Sequence, residues 1–386
     1  VRAVAYARAR YMLYFIRFAY GLLVLLLVLR WRIAPRFRNW AECTSSRRLV
    51  QGMVYAPLLL LTVATLRLPT RVYGEWLERR YAQSVQGWGS WFWDWTKVEL
   101  IGVLFGTFLV WVLYGVIRRS PRRWWFHFWL ISLPLIVFVV FVEPVVVEPL
   151  FFKFEPLAQR QPLLTAQIER VVARAGLRIP PDRLFEMKAS EKLNVVNAYV
   201  TGVGASKRVV VWDTTIARMT TPQILAVFGH EMGHYVLNHV QKGMLFFAGA
   251  LLVFLFVGER ALGLMLAQWG GRWGLRGAGD WASLPVLLLL LSVFSFLAAP
   301  VENAYSRYLE HQADTYGLEV IHGIVPDAPK VAAQSFQILG EVGLEDPDPP
   351  AFIRFWLYTH PPLNERILFA RTYDPWSKGQ QPQFVK

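Results

Sequence analysis

The stretch Thr220-Thr221-Pro222-Gln223-Ile224-Leu225-Ala226-Val227-Phe228-Gly229-His230-Glu231-Met232-Gly233-His234 decides the reading of this chain. It opens as a helix start. A threonine stands before a proline near the first helical position, and Gln223 can reach back to complete a capping box. In a helix, His230 and His234 fall one turn apart on one face, so both imidazoles can reach a single cation. Glu231 lies about 100° round the axis, beside that cation rather than on it. From there it can take a proton from water that a zinc ion acidifies to a pKa of about 7. A catalytic zinc site takes three protein ligands and keeps one position open, so a carboxylate from further along is required. Tyr308-Leu309-Glu310-His311-Gln312-Ala313-Asp314 offers one. Glu310 and Asp314 share a helical face. Glu310 can join His230 and His234 on one Zn2+, while Asp314 holds the outer nitrogen of a ligand histidine. The plainer reading of Glu310 is an exposed pair with Arg307.

Between the two motifs the chain reads as membrane. Residues 243–257 and 284–299 are apolar runs that form an out-and-back hairpin and return the chain to the side it left. The first run is shorter than the roughly 20 residues a span needs. Continuing the His230–His234 helix straight into it removes the shortfall. Further runs at 11–29, 50–68, 98–117 and 124–147 bring the expected spans to six. The first is followed by Arg30-Trp31-Arg32 with no small-residue cleavage site, so a retained anchor is expected rather than a signal peptide. Residues 71–97, rich in charge and tryptophan, read as an amphipathic helix in the interface.

Composition agrees: 55% of residues are hydrophobic and 18% charged, unlike an ordinary soluble domain. The net charge of +14 sits mainly in short loops, as at Arg30, Arg32, Arg36 and Arg38 and at Arg118, Arg119, Arg122 and Arg123. That placement suits lipid headgroups and not nucleic acid. Trp31, Trp40, Trp91, Trp93, Trp95, Trp124, Trp125, Trp269, Trp273 and Trp281 flank apolar runs and are expected at the interface. Cys43 is the only cysteine, which excludes an intrachain disulfide and a cysteine metal site.

The expected fold is mainly α: a multi-span membrane bundle with a zincin-type catalytic part that carries a small β-sheet. Its parts are N-terminal membrane helices at 1–150, a catalytic part at 151–242, the membrane hairpin at 243–300, and a second catalytic part at 301–386. An amphipathic helix is expected at 158–175, closed by Gly176. Strands are expected at 195–200 and 208–212, joined by a glycine-rich turn at 202–207. Asp213 reads as a helix cap, His239 as a structural or interfacial histidine, and Gly233 as a point of close packing near the metal.

Together these motifs resemble the type I CAAX prenyl proteases, with the HtpX heat-shock proteases as more distant relatives. The residues that carry the resemblance are His230-Glu231-Met232-Gly233-His234 and Ser306-Arg307-Tyr308-Leu309-Glu310-His311-Gln312-Ala313-Asp314. Asn197-Ala198-Tyr199, Val211-Trp212-Asp213-Thr214 and His360-Pro361-Pro362-Leu363-Asn364-Glu365-Arg366-Ile367 follow the family's order. The match runs from about residue 90 to 370. The resemblance implies a membrane gluzincin that encloses a water-filled chamber and cleaves peptide bonds in prenylated CAAX proteins. It implies zinc on His230, His234 and Glu310, and Glu231 as general base and then acid. His360 would stabilise the tetrahedral intermediate and Arg366 would support that region. Asn197, Ala198 and Tyr199 would border the substrate cleft, where an edge strand can hold a peptide. The active site would face the cytoplasm, in a bacterial inner membrane or an ER-type membrane. Eukaryotic members have seven spans; six are read here, so a first span is missing or a short one lies within 71–97.

Two other functions fit parts of the pattern. One is a general quality-control endopeptidase of membrane proteins that needs no prenyl group. The other is a transporter with a structural zinc, whose pathway Arg17, Glu143 and Glu259-Arg260 would line. In a transporter Glu231 has no purpose.

Overall fold

A computed structural model describes residues 1–202 and 208–385. The turn expected at 202–207 falls almost wholly outside them. The N-terminal part is built from α1 (Arg2–Arg30), α2 (Ile33–Thr44), α3 (Arg48–Arg80), α4 (Trp88–Arg119) and α5 (Trp124–Val142). A π turn at Glu143–Val147 and a 3-10 turn at Glu148–Leu150 end α5, where Pro144 and Pro149 deny the helix its backbone donors. There follow β1 (Phe154–Pro156), α6 (Leu157–Arg160), α7 (Pro162–Arg174), β2 (Leu184–Met187), β3 (Ala198–Thr201), β4 (Arg208–Trp212), α8 (Asp213–Arg218) and α9 (Thr221–Val236). The membrane hairpin is α10 (His239–Trp273) and α11 (Leu284–Ile321), and α12 (Ala328–Gly343), α13 (Ala351–Leu357) and α14 (Leu363–Thr372) complete the chain.

Six helical segments are long and apolar enough to cross a membrane, and they contain the six expected runs. Their outer faces leave large apolar side chains uncovered: Leu104, Leu245 and Leu264 are each more than 70% exposed. Water would not tolerate such a surface; lipid does. Residues 71–97 form no interfacial helix and no extra span. They are the end of α3, a turn, and the start of α4.

Several loop side chains expected at headgroups are structural instead. Trp281 is 1% exposed, with its ring 4.8 Å from that of Tyr114 and the Arg118 guanidinium 4.0 Å above it. Trp124 is buried as well. Arg38 is buried in an ion pair with Asp280, 2.6 Å apart, which ties α2 to the hairpin turn. A buried pair with both partners present satisfies charges that neither could hold alone. Trp31, Trp40 and Trp93 do lie exposed.

Outside the membrane the sheet runs β1-β2-β4-β3; β2 and β4 are parallel, and the outer pairs antiparallel. β1 and β2, three and four residues long, carry too little pattern to be read from sequence. The single helix expected at 158–175 is two. Pro162 opens α7 at Gln161, because a residue before proline is pushed out of the helical region. One core joins sheet and helices: Ile168 and Val171 from α7, Val209 and Val211 from β4, Phe228 and Met232 from α9, Leu318 and Ile321 from α11. Buried Glu319 accepts the backbone N–H groups of Gln383, Phe384 and Val385 at 2.6–2.9 Å, which docks the C-terminal tail on α11.

Candidate metal centre and active site

The capping box forms as read: Thr220 begins α9 and its N–H donates to Gln223 Oε1 at 2.9 Å. α9 then lies against the C-terminal half of α11, and small residues set how closely. A methyl group at Gly317 would stand 2.8 Å from His230 N; one at Gly229 would stand 3.0 Å from Gly317 O, and one at Gly233 would stand 3.0 Å from Ala313 Cα. The helices therefore cross backbone to backbone. Gly233 is the close-packing glycine expected; Gly229 and Gly317 share the work.

This crossing brings the separated motifs together. Glu310 Oε2 lies 3.1 Å from His230 Nε2 and 3.5 Å from His234 Nε2, and the two imidazole nitrogens are 3.1 Å apart. Atoms about 2.0 Å from a tetrahedral zinc stand roughly 3.3 Å from one another, so the spacing fits. His360 Nε2 comes within 3.1 Å of the same oxygen. His230, Glu310 and His360 can each offer a ligand atom within one small sphere. Glu310 Oε2 is buried and has no hydrogen-bond donor among the described residues. A buried carboxylate oxygen faced by three imidazole nitrogens calls for a cation between them. Arg307 does not pair with Glu310. It donates to the carbonyls of Arg354 and Tyr358, at 3.2 and 2.5 Å, and so fixes the segment that leads to His360.

Each imidazole of the pair is held from behind. His230 Nδ1 meets Asp314 Oδ1 at 2.7 Å, the contact expected from the Glu310–Asp314 spacing. Arg366 grips Asp314 with two bonds, Nε to Oδ2 at 2.9 Å and Nη2 to Oδ1 at 2.6 Å. Arg366 thus backs His230 through Asp314, and it lines the same cavity as His360. Burial disfavours charge on His230, but Asp314 outweighs it and pushes the imidazole up to about 10; the same field favours a metal cation. Burial also pushes the Glu231 carboxyl above its usual range, with the two imidazoles pulling back and Glu310 adding.

Behind His234 stands a residue that sequence reading left outside the site. His239 Nδ1 lies 3.0 Å from His234 Nδ1, and its Nε2 lies 3.2 Å from Gln312 Oε1. Gln312 Nε2 donates to Tyr308 Oη at 2.9 Å. Residues five apart on a straight helix point about 140° away from each other. The contact exists because α9 does not run on into α10: Asn238 adopts φ 57°, ψ 39° and breaks the helix. The expected continuous helix is therefore wrong, and α10 reaches spanning length by itself. Asn is among the few residues that enter this left-handed region readily, which is the one local signal of the break.

A cavity of about 600 Å³ opens over these groups, lined by His230, Glu231, His360, Arg366 and Asn197. Its wall at β3 is pinned by α8: Thr215 Oγ1 donates to Asn197 O at 2.7 Å and accepts from Asn197 N at 2.8 Å. Asp213 is the first residue of α8, and it accepts from Ser190 N and Oγ at 2.9 and 2.6 Å rather than capping its own helix. Of the three residues expected along the cleft, only Asn197 lines the cavity. Ala198 is buried in the sheet core, and Tyr199 Oη donates to Glu148 at 2.7 Å on the far side. Among the described residues β3 is nevertheless an edge strand, with a neighbouring strand on one side only.

Comparison with known proteins places this geometry. The model for peptidase family M48 matches residues 158–374, and that for the CAAX prenyl protease N-terminal region, described as five membrane helices, matches residues 1–153. The uncharacterized metalloprotease YhfN of Bacillus subtilis (strain 168) is 35% identical over 371 residues, 95% of this chain and 84% of its own length. The CAAX prenyl protease 1 homolog of Homo sapiens is 25% identical over 392 residues, 89% and 78% of the two chains. The crystal structure of S. mikatae Ste24p has the same fold, with a TM-score of 0.80 at 20% identity over 95% of this chain and 87% of that one. With six spans, a family match across the whole catalytic part and a carboxylate–imidazole cluster where such enzymes need a metal, the chain belongs to peptidase family M48 as a multi-pass membrane metallopeptidase similar to CAAX prenyl protease 1.

Proposed function

We propose that the chain is a zinc endopeptidase that hydrolyses peptide bonds of chains entering its membrane cavity, with His230, His234 and Glu310 holding the ion. The observation that carries this is the buried, donor-less Glu310 Oε2 with imidazole nitrogens 3.1–3.5 Å away. Zinc in such a site is a Lewis acid that polarises a carbonyl and acidifies water. Glu231 takes a proton from the attacking water as its oxygen bonds the scissile carbon. It then delivers that proton to the leaving nitrogen as the C–N bond breaks. His360, on the loop before α14, donates to the oxygen on which charge develops, a contact of about 3 kcal/mol. Asp314, Arg366 and His239 orient the ligand imidazoles. The free edge of β3 and the Asn197 side chain hold the substrate backbone as an added strand.

We place the active site toward the cytoplasm, in a bacterial inner or ER-type membrane, with prenylated CAAX-type chains as substrate. The test is zinc analysis of the purified wild type and of Glu231→Gln, with cleavage of a farnesylated peptide and of its unmodified twin. About one zinc per chain in both proteins and cleavage only by the wild type is expected. Equal cleavage by the two proteins would remove Glu231 from the chemistry. Equal cleavage of the two peptides would favour a general quality-control role.

A further inference from the structure

His360 sits on the short segment between α13 and α14, and its side chain is 50% exposed. Its polar contacts are Thr359 Oγ1, 2.9 Å from Nδ1, and Glu310 Oε2, 3.1 Å from Nε2. Thr359 is its own neighbour in the chain, and Glu310 belongs to the proposed metal site. Where the imidazole points is therefore set by the backbone that carries it.

That backbone is stiff on the side leading to α14. His360 precedes Pro361 and Pro361 precedes Pro362, so both are confined to extended conformations, and Pro362 opens α14. On the other side the segment is pinned at Tyr358, where α13 gives way to extended chain. Two pins come from α11: Arg307 donates to the carbonyl of Tyr358 at 2.5 Å, and Asn303 to that of Trp356 at 2.6 Å. Another comes from the first membrane helix. Tyr11 Oη of α1 lies 2.6 Å from Tyr358 Oη. Tyr358 Oη also faces the carbonyl of Asp346 at 3.4 Å. A carbonyl can only accept, so Tyr358 donates there and Tyr11 donates to Tyr358. One turn along α1, Phe15 packs on Phe352 of α13 and Phe296 of α11, with ring centroids 5.9 and 6.1 Å apart. Apolar packing is non-directional, whereas a hydrogen bond weakens steeply with distance and angle. The phenol pair thus fixes what the rings alone leave free to slide.

Resting on the peptidase reading above, we propose that Tyr11 is a positioning residue for the reaction: through Tyr358 it holds His360 where the oxygen of the scissile carbonyl takes up charge. A donor stabilises that oxygen from about 2.7–3.1 Å. Loss of one hydroxyl from the pair takes the imidazole out of that window and leaves Glu231 and the ion-holding side chains untouched. Tyr11 and His360 line the same cavity, yet α1 and the catalytic part match separate family models. The contact makes the catalytic part depend on the N-terminal helices for a transition-state donor.

The test uses the full chain with zinc in phosphatidylcholine nanodiscs and a peptide that the wild type cleaves. Tyr11→Phe and Tyr358→Phe each remove one oxygen and keep the ring. In each, kcat is expected to fall about tenfold, with KM within about twofold of wild type and zinc content unchanged. The double variant should be no slower than either single one, because the first substitution already breaks the bond. Tyr11→Phe should cost nothing further in a His360→Ala background. A phosphonamidate peptide, whose tetrahedral oxygen mimics the charged one, should bind Tyr11→Phe more weakly by the same factor as kcat, a readout independent of turnover. Wild-type kcat in both phenylalanine variants would overturn the proposal. So would a tenfold loss that persists without His360, or a raised KM at unchanged kcat, which would assign Tyr11 to substrate binding. Tyr358→Phe carries the test if Tyr11→Phe does not fold. Failure of wild-type protein to cleave peptides at all would instead sink the peptidase reading, a result separable from the ratio between variants.

Discussion

Two connections join the candidate metal centre to the membrane, and they are built differently. α11 runs unbroken from Leu284 to Ile321, through lipid and on to Glu310 and Asp314. On the other side α9 stops at Val236 and α10 restarts at His239 after the left-handed Asn238. The unbroken helix fixes a distance: Glu310 and Asp314 keep their one-turn spacing, so one faces the Nε2 atoms of the two imidazoles and the other the back of His230. The broken one changes a direction, because only the kink turns His239 under His234. One imidazole is thus backed by a buried carboxylate–arginine pair and the other by a neutral histidine–amide chain. The two histidines are not equivalent, although sequence presents them as a symmetric pair.

The largest effect should come from parting the two sides. Gly317→Leu puts a side chain where a single methyl group already meets the His230 backbone. Cleavage should fall by about 10²-fold or more, with zinc lost and the circular dichroism still helical. Retained zinc and activity would show that the close crossing does not set the site. Next is the carboxylate-backed side. Asp314→Ala removes the tether of His230 and leaves Arg366 buried without its partner, so zinc affinity should drop 10–100-fold by chelator competition. The histidine-backed side should respond less: His239→Ala is expected to weaken zinc about tenfold, while Asn238→Gly keeps the kink and leaves affinity alone. If His239→Ala costs as much as Asp314→Ala, the asymmetry is not real.

The residues proposed to carry the chemistry are legible because their information is local. His230, Glu231 and His234 need only helical periodicity, and Glu310 and Asp314 only the i, i+4 rule. Apolar runs gave the six spans for the same reason. What could not be read depends on contacts across the fold. The burial of Trp281 and Arg38 is decided by partners more than 160 residues away, Tyr114 and Asp280, and the sheet order by pairings with no periodic trace. Two misses did carry local signals: Pro162 marks the break before α7, and Asn238 marks the end of α9. In a run otherwise suited to helix, a single asparagine was outweighed by the apolar pattern around it.

The most direct measurement is zinc K-edge X-ray absorption on the wild type beside Glu310→Ala, with zinc content determined on the same samples. The wild type should give two imidazole nitrogens and oxygen donors at about 2.0–2.2 Å, and the variant should retain little zinc. A full complement of zinc in Glu310→Ala with an unchanged spectrum would mean that the ion is held elsewhere, and that α9 and α11 do not meet on it.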